Sequence, residues 1–160
     1  YDIRCEISKF YAASALSEAA AALTYKDDPS PQMFLYAVEG LRDMCAGDES
    51  FALIKFLARA LSLSGYGFSA GACSECGKDL CGEGKLRFDM SSGSFTCWDC
   101  GTGYGVSGST YAVLRAAEGR PCGEITDDGK KRALRLLREF YALKTDNRCV
   151  GLSEFIRLGE

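Results

Sequence analysis

Two matched cysteine pairs, Cys73-x2-Cys76 and Cys97-x2-Cys100, carry the clearest chemistry in this chain of 160 residues. A C-x2-C turn aims two thiolates at one point, and two such turns supply the four sulfurs of the tetrahedral site that Zn²⁺ adopts in structural roles. The chain has no histidine, which excludes a mixed cysteine and histidine site. Two disulfides are the rival arrangement. Nine cysteines is an odd number, no stretch resembles a secretory leader, and cytosolic thiols stay reduced. The expectation is therefore Zn²⁺ held by Cys73, Cys76, Cys97 and Cys100 in a cytoplasmic protein.

Four thiolates fill the coordination shell and leave no position for water or substrate, so the expected zinc is structural. No carboxylate pair or nucleophile with a base stands out, and the usual general base is absent. The expectation is that the protein is not an enzyme. Cys81, five residues after Cys76, is expected to stand aside from the metal. Cys5, Cys45, Cys122 and Cys149 lack paired spacing and are expected to be small buried or half-buried side chains.

A second constellation is positive charge. Residues 1–66 carry six basic and nine acidic side chains, whereas residues 130–148 carry seven basic and two acidic. Lys131, Arg135 and Arg138 fall at i, i+4 and i+7 on one helix face, flanked by Lys130 and Arg132. Two readings stand for these five residues. One is a solvated basic face; the other is a contact for DNA phosphates, or for an acidic peptide that also inserts an apolar residue. Trp98 either stacks on a nucleobase or packs against a neighbouring element, the second being the commoner fate of an aromatic in a zinc turn.

These groups need elements to position them. Helical spacing runs from Ile3 to about Leu23, with Ile7, Phe10 and Tyr11 on one face and an alanine run that would admit a close helix neighbour. A second helix starts at Ser30-Pro31 and carries Phe34, Ala37, Val38, Leu41, Met44 and Cys45 to Gly47. A third spans about Ser50 to Leu63, with Leu53, Phe56, Leu57, Ala60 and Leu61 inward and Lys55 and Arg59 outward, and ends at Ser64-Gly65-Tyr66-Gly67. Then composition turns to glycine, cysteine and serine, with strands expected at Lys85 to Met90 and Ser94 to Thr96 in a hairpin about Ser91-Ser92-Gly93. Gly101-Thr102-Gly103-Tyr104-Gly105 lacks the lysine and spacing of a phosphate loop and reads as a flexible exit. Helices return around Tyr111, Val113 and Leu114 and from about Thr126 to Leu143, the latter burying Ala133, Leu134, Leu137, Phe140 and Tyr141.

The predicted fold is all-α: a small helical bundle with an inserted four-cysteine zinc ribbon that contains a short β-hairpin. Residues 1–67 form the first part of the bundle, 68–106 the ribbon and 107–160 the second part. No apolar run reaches the ~20 residues that a membrane span needs, so a soluble protein without a membrane partner is expected.

Leu61 to Gly77, reading L-S-L-S-G-Y-G-F-S-A-G-A-C-S-E-C-G, together with Cys97-Trp98-Asp99-Cys100 and the flanking helices, resembles the carboxy-terminal part of the bacterial DNA-repair family RecO. The resemblance covers almost the whole chain. It implies an OB-fold domain ahead of this segment, in keeping with a first residue, Tyr1, that is not methionine. It also implies a mediator that binds single- and double-stranded DNA, anneals complementary strands, and works with RecR to help load RecA onto strands coated by single-stranded DNA-binding protein (SSB). Family members bind the acidic, phenylalanine-ended SSB tail through the helical domain, and the basic face beside Leu134 and Leu137 has the chemistry for it. A bacterial, nucleoid-associated location follows from the resemblance. The chain departs from the family at Lys144-Thr145-Asp146-Asn147-Arg148, where a more basic stretch is usual. Two other classes stay open: a zinc-ribbon module that only docks a protein partner, and a redox sensor using the C-x2-C thiols.

Overall fold

The computed structural model describes residues 6–24, 28 and 30–160. The first residues of the expected opening helix, and Cys5, lie outside the described residues. Within them are six helices: α1 (Ile7–Leu23), α2 (Pro31–Ala46), α3 (Glu49–Leu63), α4 (Gly108–Ala117), α5 (Asp127–Thr145) and α6 (Val150–Leu158). Three strands, β1 (Lys85–Asp89), β2 (Ser94–Cys97) and β3 (Tyr104–Ser107), form an antiparallel sheet in the order β2-β1-β3 between α3 and α4. The chain is mostly helical, as its periodicity predicts.

Side-chain caps set most helix starts. Ser30 accepts from the Met33 amide with Pro31 in the first turn, Asp48 accepts from Phe51, Ser107 from Thr110 and Thr126 from Gly129. Helix α3 ends where the Tyr66 amide donates to the Leu61 carbonyl and Gly65 takes a positive φ of 82°. Its inward residues are those expected, and Lys55 and Arg59 pair outward with Asp43 and Glu39 of α2.

Two helices are rotated from their expected faces. In α1 the buried line is Ala12, Ala15, Leu16, Ala19 and Leu23, while Ile7 and Phe10 are exposed. The reason is close packing: α6 lies along α1, and a Cβ on Gly151 would stand 2.8 Å from the Ala15 nitrogen. Small side chains permit that approach and large ones do not. In α2 the buried line is Met33, Gly40 and Met44, leaving Phe34 and Cys45 exposed; Gly40 sits where a Cβ would meet Leu16 and Phe56.

Helix α6 was not predicted. No local side chain caps it; the α1 carboxylate of Glu18 accepts from the amides of Val150 and Gly151 at 2.9 and 2.8 Å. Strand β3 corrects the flexible exit. It pairs with β1 from Lys85↔Ser107 to Phe88↔Tyr104, and Gly103 lies so close to the Phe88 carbonyl that a Cβ would collide with it.

The ribbon and the helices share one core. Phe88 and Phe95 face each other across β1 and β2, Phe140 of α5 meets Phe88 at 5.4 Å and Phe68 at 6.3 Å, and Tyr111 of α4 meets Phe95 at 5.1 Å between ring centroids. The sheet, whose β2 carries Cys97 and leads into the turn of Cys100, is therefore seated on α4 and α5.

Candidate functional site

The two C-x2-C turns meet. The sulfurs of Cys73, Cys76, Cys97 and Cys100 lie within 4.8 Å of one another, and those of Cys76 and Cys97 are 3.6 Å apart. A tetrahedron with bonds of about 2.3 Å from zinc to sulfur has an edge of roughly 3.8 Å, so the cluster has the dimensions to hold one such ion. It is the only group of three or more candidate ligands of this kind among the described residues.

Each turn is built for the task. In the first, the Cys73 amide donates to the Lys78 carbonyl, Gly77 returns the bond to Cys73 with a positive φ of 76°, and Ser74 donates to Phe95 of β2. In the second, Cys100 donates to the Cys97 carbonyl, and a Cβ on Gly101 would collide with the Thr96 hydroxyl. Sequence reasoning located the four clustered cysteines because their spacing is local; it did not locate the third strand or the clamp that hold them in place. That clamp is Arg87. Its guanidinium lies 3.9 Å from the Trp98 ring centroid while Nε donates to the Trp98 carbonyl and Nη1 to that of Gly103. Trp98 thus packs against β1 and, through Gly105, against β3.

The clustered thiols shift one another's protonation in opposite directions. Burial opposes the Cys73 thiolate, yet the amides of Cys76, Cys97 and Glu75 outweigh it and bring Cys73 down to about 6. Hydrogen bonding with Cys76, then burial, pushes Cys100 up to about 12, and burial followed by Cys76 and Cys73 raises Cys97. Four negative sulfurs at this spacing are mutually unfavourable until a positive ion lies among them.

Among the remaining cysteines, Cys149 is buried as expected, while Cys45 and the Cys81–Cys122 pair need correction. Cys81 is outside the cluster, as expected, but it is not idle: it forms a disulfide with Cys122, with Cα atoms 6.0 Å apart. Cys122 is half-buried, as expected, but its bond to Cys81 was not foreseen; the two are 41 residues apart in sequence and only folding brings them together. Cys45 is exposed rather than buried, and Cys149 is buried beside the Ala15 carbonyl.

The basic residues lie together on α5, but they are not equally free. Lys130 is largely buried between Asp48 at 2.6 Å and Asp127 at 2.8 Å and fastens α5 to the start of α3. Arg132 pairs with Asp128, Arg138 with Glu139 and Arg135 with Glu160, all partly exposed pairs of the kind that contribute little and exchange readily. Lys131 has no ion pair among the described residues. Lys131 and Arg135 edge a hollow of about 160 Å³ whose apolar lining is Leu134, Phe155, Ile156 and Leu158. On the other flank, Arg132, Arg135 and Arg138, with Leu136 of the same helix, face Tyr104 and Met90 across a groove of about 520 Å³ between α5 and β3. Leu134 was expected beside the basic face, but the apolar partners from α6 and from the hairpin and β3 were not, since no signal near residue 130 announces them. Lys144 is also engaged, donating to the Ser91 carbonyl in the hairpin turn.

A helical protein with a four-cysteine site on a small sheet between its third and fourth helices, and with a basic helix beside it, is the class that these features define. The description "Recombination protein O C terminal" matches residues 4–149, and the chain belongs to this RecO family. It is 33% identical over 138 residues to the DNA repair protein RecO of Frankia casuarinae, covering 81% of this chain and 55% of that protein. It is 30% identical over 149 residues to the one from Rubrobacter xylanophilus, covering 88% and 59%, and 32% identical over 101 residues to that of Streptomyces griseus, covering 61% and 40%. The chain spans about half the length of the curated relatives it matches. No helix among the described residues is long and apolar enough to cross a membrane.

Proposed function

We propose that this chain acts as part of a non-enzymatic DNA recombination mediator that binds single- and double-stranded DNA, anneals strands and, with RecR, helps load RecA onto SSB-coated DNA. Family membership supports a role in DNA repair and recombination, and it is the observation that carries this reading. The cysteine cluster takes Zn²⁺ as a structural ion, since four thiolates in a closed tetrahedron suit that metal and leave it no open position. The metal makes the ribbon rigid enough to form one wall of the groove beside α5.

The basic residues supply the contacts. The hollow sets Lys131 and Arg135, with the acids Glu49 and Glu160, around an apolar floor; its cations and floor suit an acidic peptide ending in an aromatic residue, and the Glu160 carboxylate on Arg135 is the group such a peptide displaces. The groove of Arg132, Arg135 and Arg138 offers phosphate contacts beside an exposed Tyr104. Lys130, tied to Asp48 and Asp127, serves the fold.

Fluorescence titration with an SSB tail peptide tests the peptide site: K131E/R135E weakens binding at least tenfold, and unchanged binding places the site elsewhere. DNA binding that falls steeply with added salt supports the phosphate contacts. Peptide binding with no DNA binding at low salt favours a protein-interaction module instead.

A further inference from the structure

We propose that Cys81 and Cys122 form a reversible thiol–disulfide site, separate from the metal cluster, whose reactants are small-molecule thiols and disulfides and whose product is a clasp between the ribbon and the entry to α5. Neither cysteine belongs to the metal-ligating group, and Cys81 lies five residues beyond the nearest ligand. The proposal does not rest on the DNA-repair reading.

Both sulfurs are presented by constrained loops. Cys81 sits on a turn in which its own amide donates to Asp79 Oδ1, Leu80 is fully buried, and Gly82 has a φ of 82°. Cys122 follows Pro121 in the segment that joins α4 to Thr126, the cap of α5. The Cα separation of 6.0 Å lies within the span that disulfides bridge without moving the backbone. A second tie joins the same two loops: Arg115 of α4 contacts Asp79 at 3.4 Å through Nη1 and the Arg120 carbonyl at 3.1 Å through Nε. That contact, with the buried Leu80 beside Cys81, favours the two loops lying adjacent when the sulfurs are reduced, so that the bond can reform in place.

A groove of about 370 Å³ lined by Gly82, Gly84, Ser107, Cys122 and Gly123 gives a small thiol access to Cys122. Its thiolate attacks the Cys122 sulfur, a mixed disulfide forms and Cys81 leaves as a thiolate. A second thiolate then attacks the small molecule's sulfur and releases Cys122. In sum, the protein disulfide and two thiols give the protein dithiol and one small-molecule disulfide. What changes is the tether on residues 118–126, which lead into the basic helix; the aromatic packing of Phe68, Phe88 and Phe95 under the ribbon is untouched.

Alkylation and peptide mapping of the zinc-loaded chain test this directly. After oxidised glutathione, Cys81 and Cys122 appear as one cross-linked peptide with full zinc content. After reduced glutathione, two further alkylated sites appear, on these cysteines and no others, zinc is retained, and amide exchange in 118–126 runs roughly tenfold faster. Alkylation of both cysteines despite oxidised glutathione overturns the proposal, as does loss of zinc in step with reduction. With C122S, Cys81 takes up one glutathione and the exchange no longer responds to the reductant; if that variant fails to fold, the mapping of the unsubstituted chain still decides.

Discussion

At the scale of single residues, two side chains report the packing most sharply. Gly101 follows Cys100 and faces Thr96, so Gly101→Ala forces its Cβ against the Thr96 hydroxyl. An unfolding free energy lowered by about 1–3 kcal/mol in chemical denaturation is expected, largely restored by adding Thr96→Ala. Cys149 is buried against α1, and burial, assisted by the nearby Glu18 charge, pushes its thiol up to about 11 from 9.0. The folded state then holds this proton more tightly than the unfolded chain, so its contribution is complete below about 9 and is lost as pH rises toward about 11. Stability measured against pH should decline over that window, and Cys149→Ala should flatten the decline. Buried Tyr141, raised to about 12 mainly by burial, acts in the same direction at higher pH.

At the scale of elements, the difference between what the chain announces and what it becomes has a physical pattern. The faces of α3 and α5 follow from periodicity, because there the large apolar residues are those buried. Helices α1 and α2 do not follow it, since Ala15, Gly40 and Gly151 set the closest approaches and the bulkier Ile7, Phe10 and Phe34 are left outside. Helix α6 has no start signal of its own, because its capping oxygen belongs to Glu18, 132 residues from Val150. Glu18→Ala should therefore cost about 1 kcal/mol in chemical denaturation and raise amide exchange in 150–158 ahead of α3, whereas Glu18→Gln should cost less. Exchange that rises evenly throughout would show that the carboxylate does not hold α6.

At the scale of the whole molecule, the four-cysteine cluster was legible because its members come as two local spacings, while Lys130 looked like a surface cation until Asp48 of a distant element was placed beside it. Cys81 and Cys122 escaped for the same reason, being neighbours only in the folded chain. The shared aromatic core joins ribbon and bundle, so losing the metal should be felt beyond the ribbon: a chelator is expected to release β2 and the second cysteine turn first and then loosen Phe140 of α5. Tryptophan fluorescence at Trp98 should change before the helical circular dichroism does.

X-ray absorption at the zinc edge of the purified, zinc-loaded chain is the most direct measurement. The account predicts four sulfur neighbours at about 2.3 Å and no oxygen or nitrogen; two sulfurs with light atoms, or a chain that binds no zinc with all four thiols available, would contradict it.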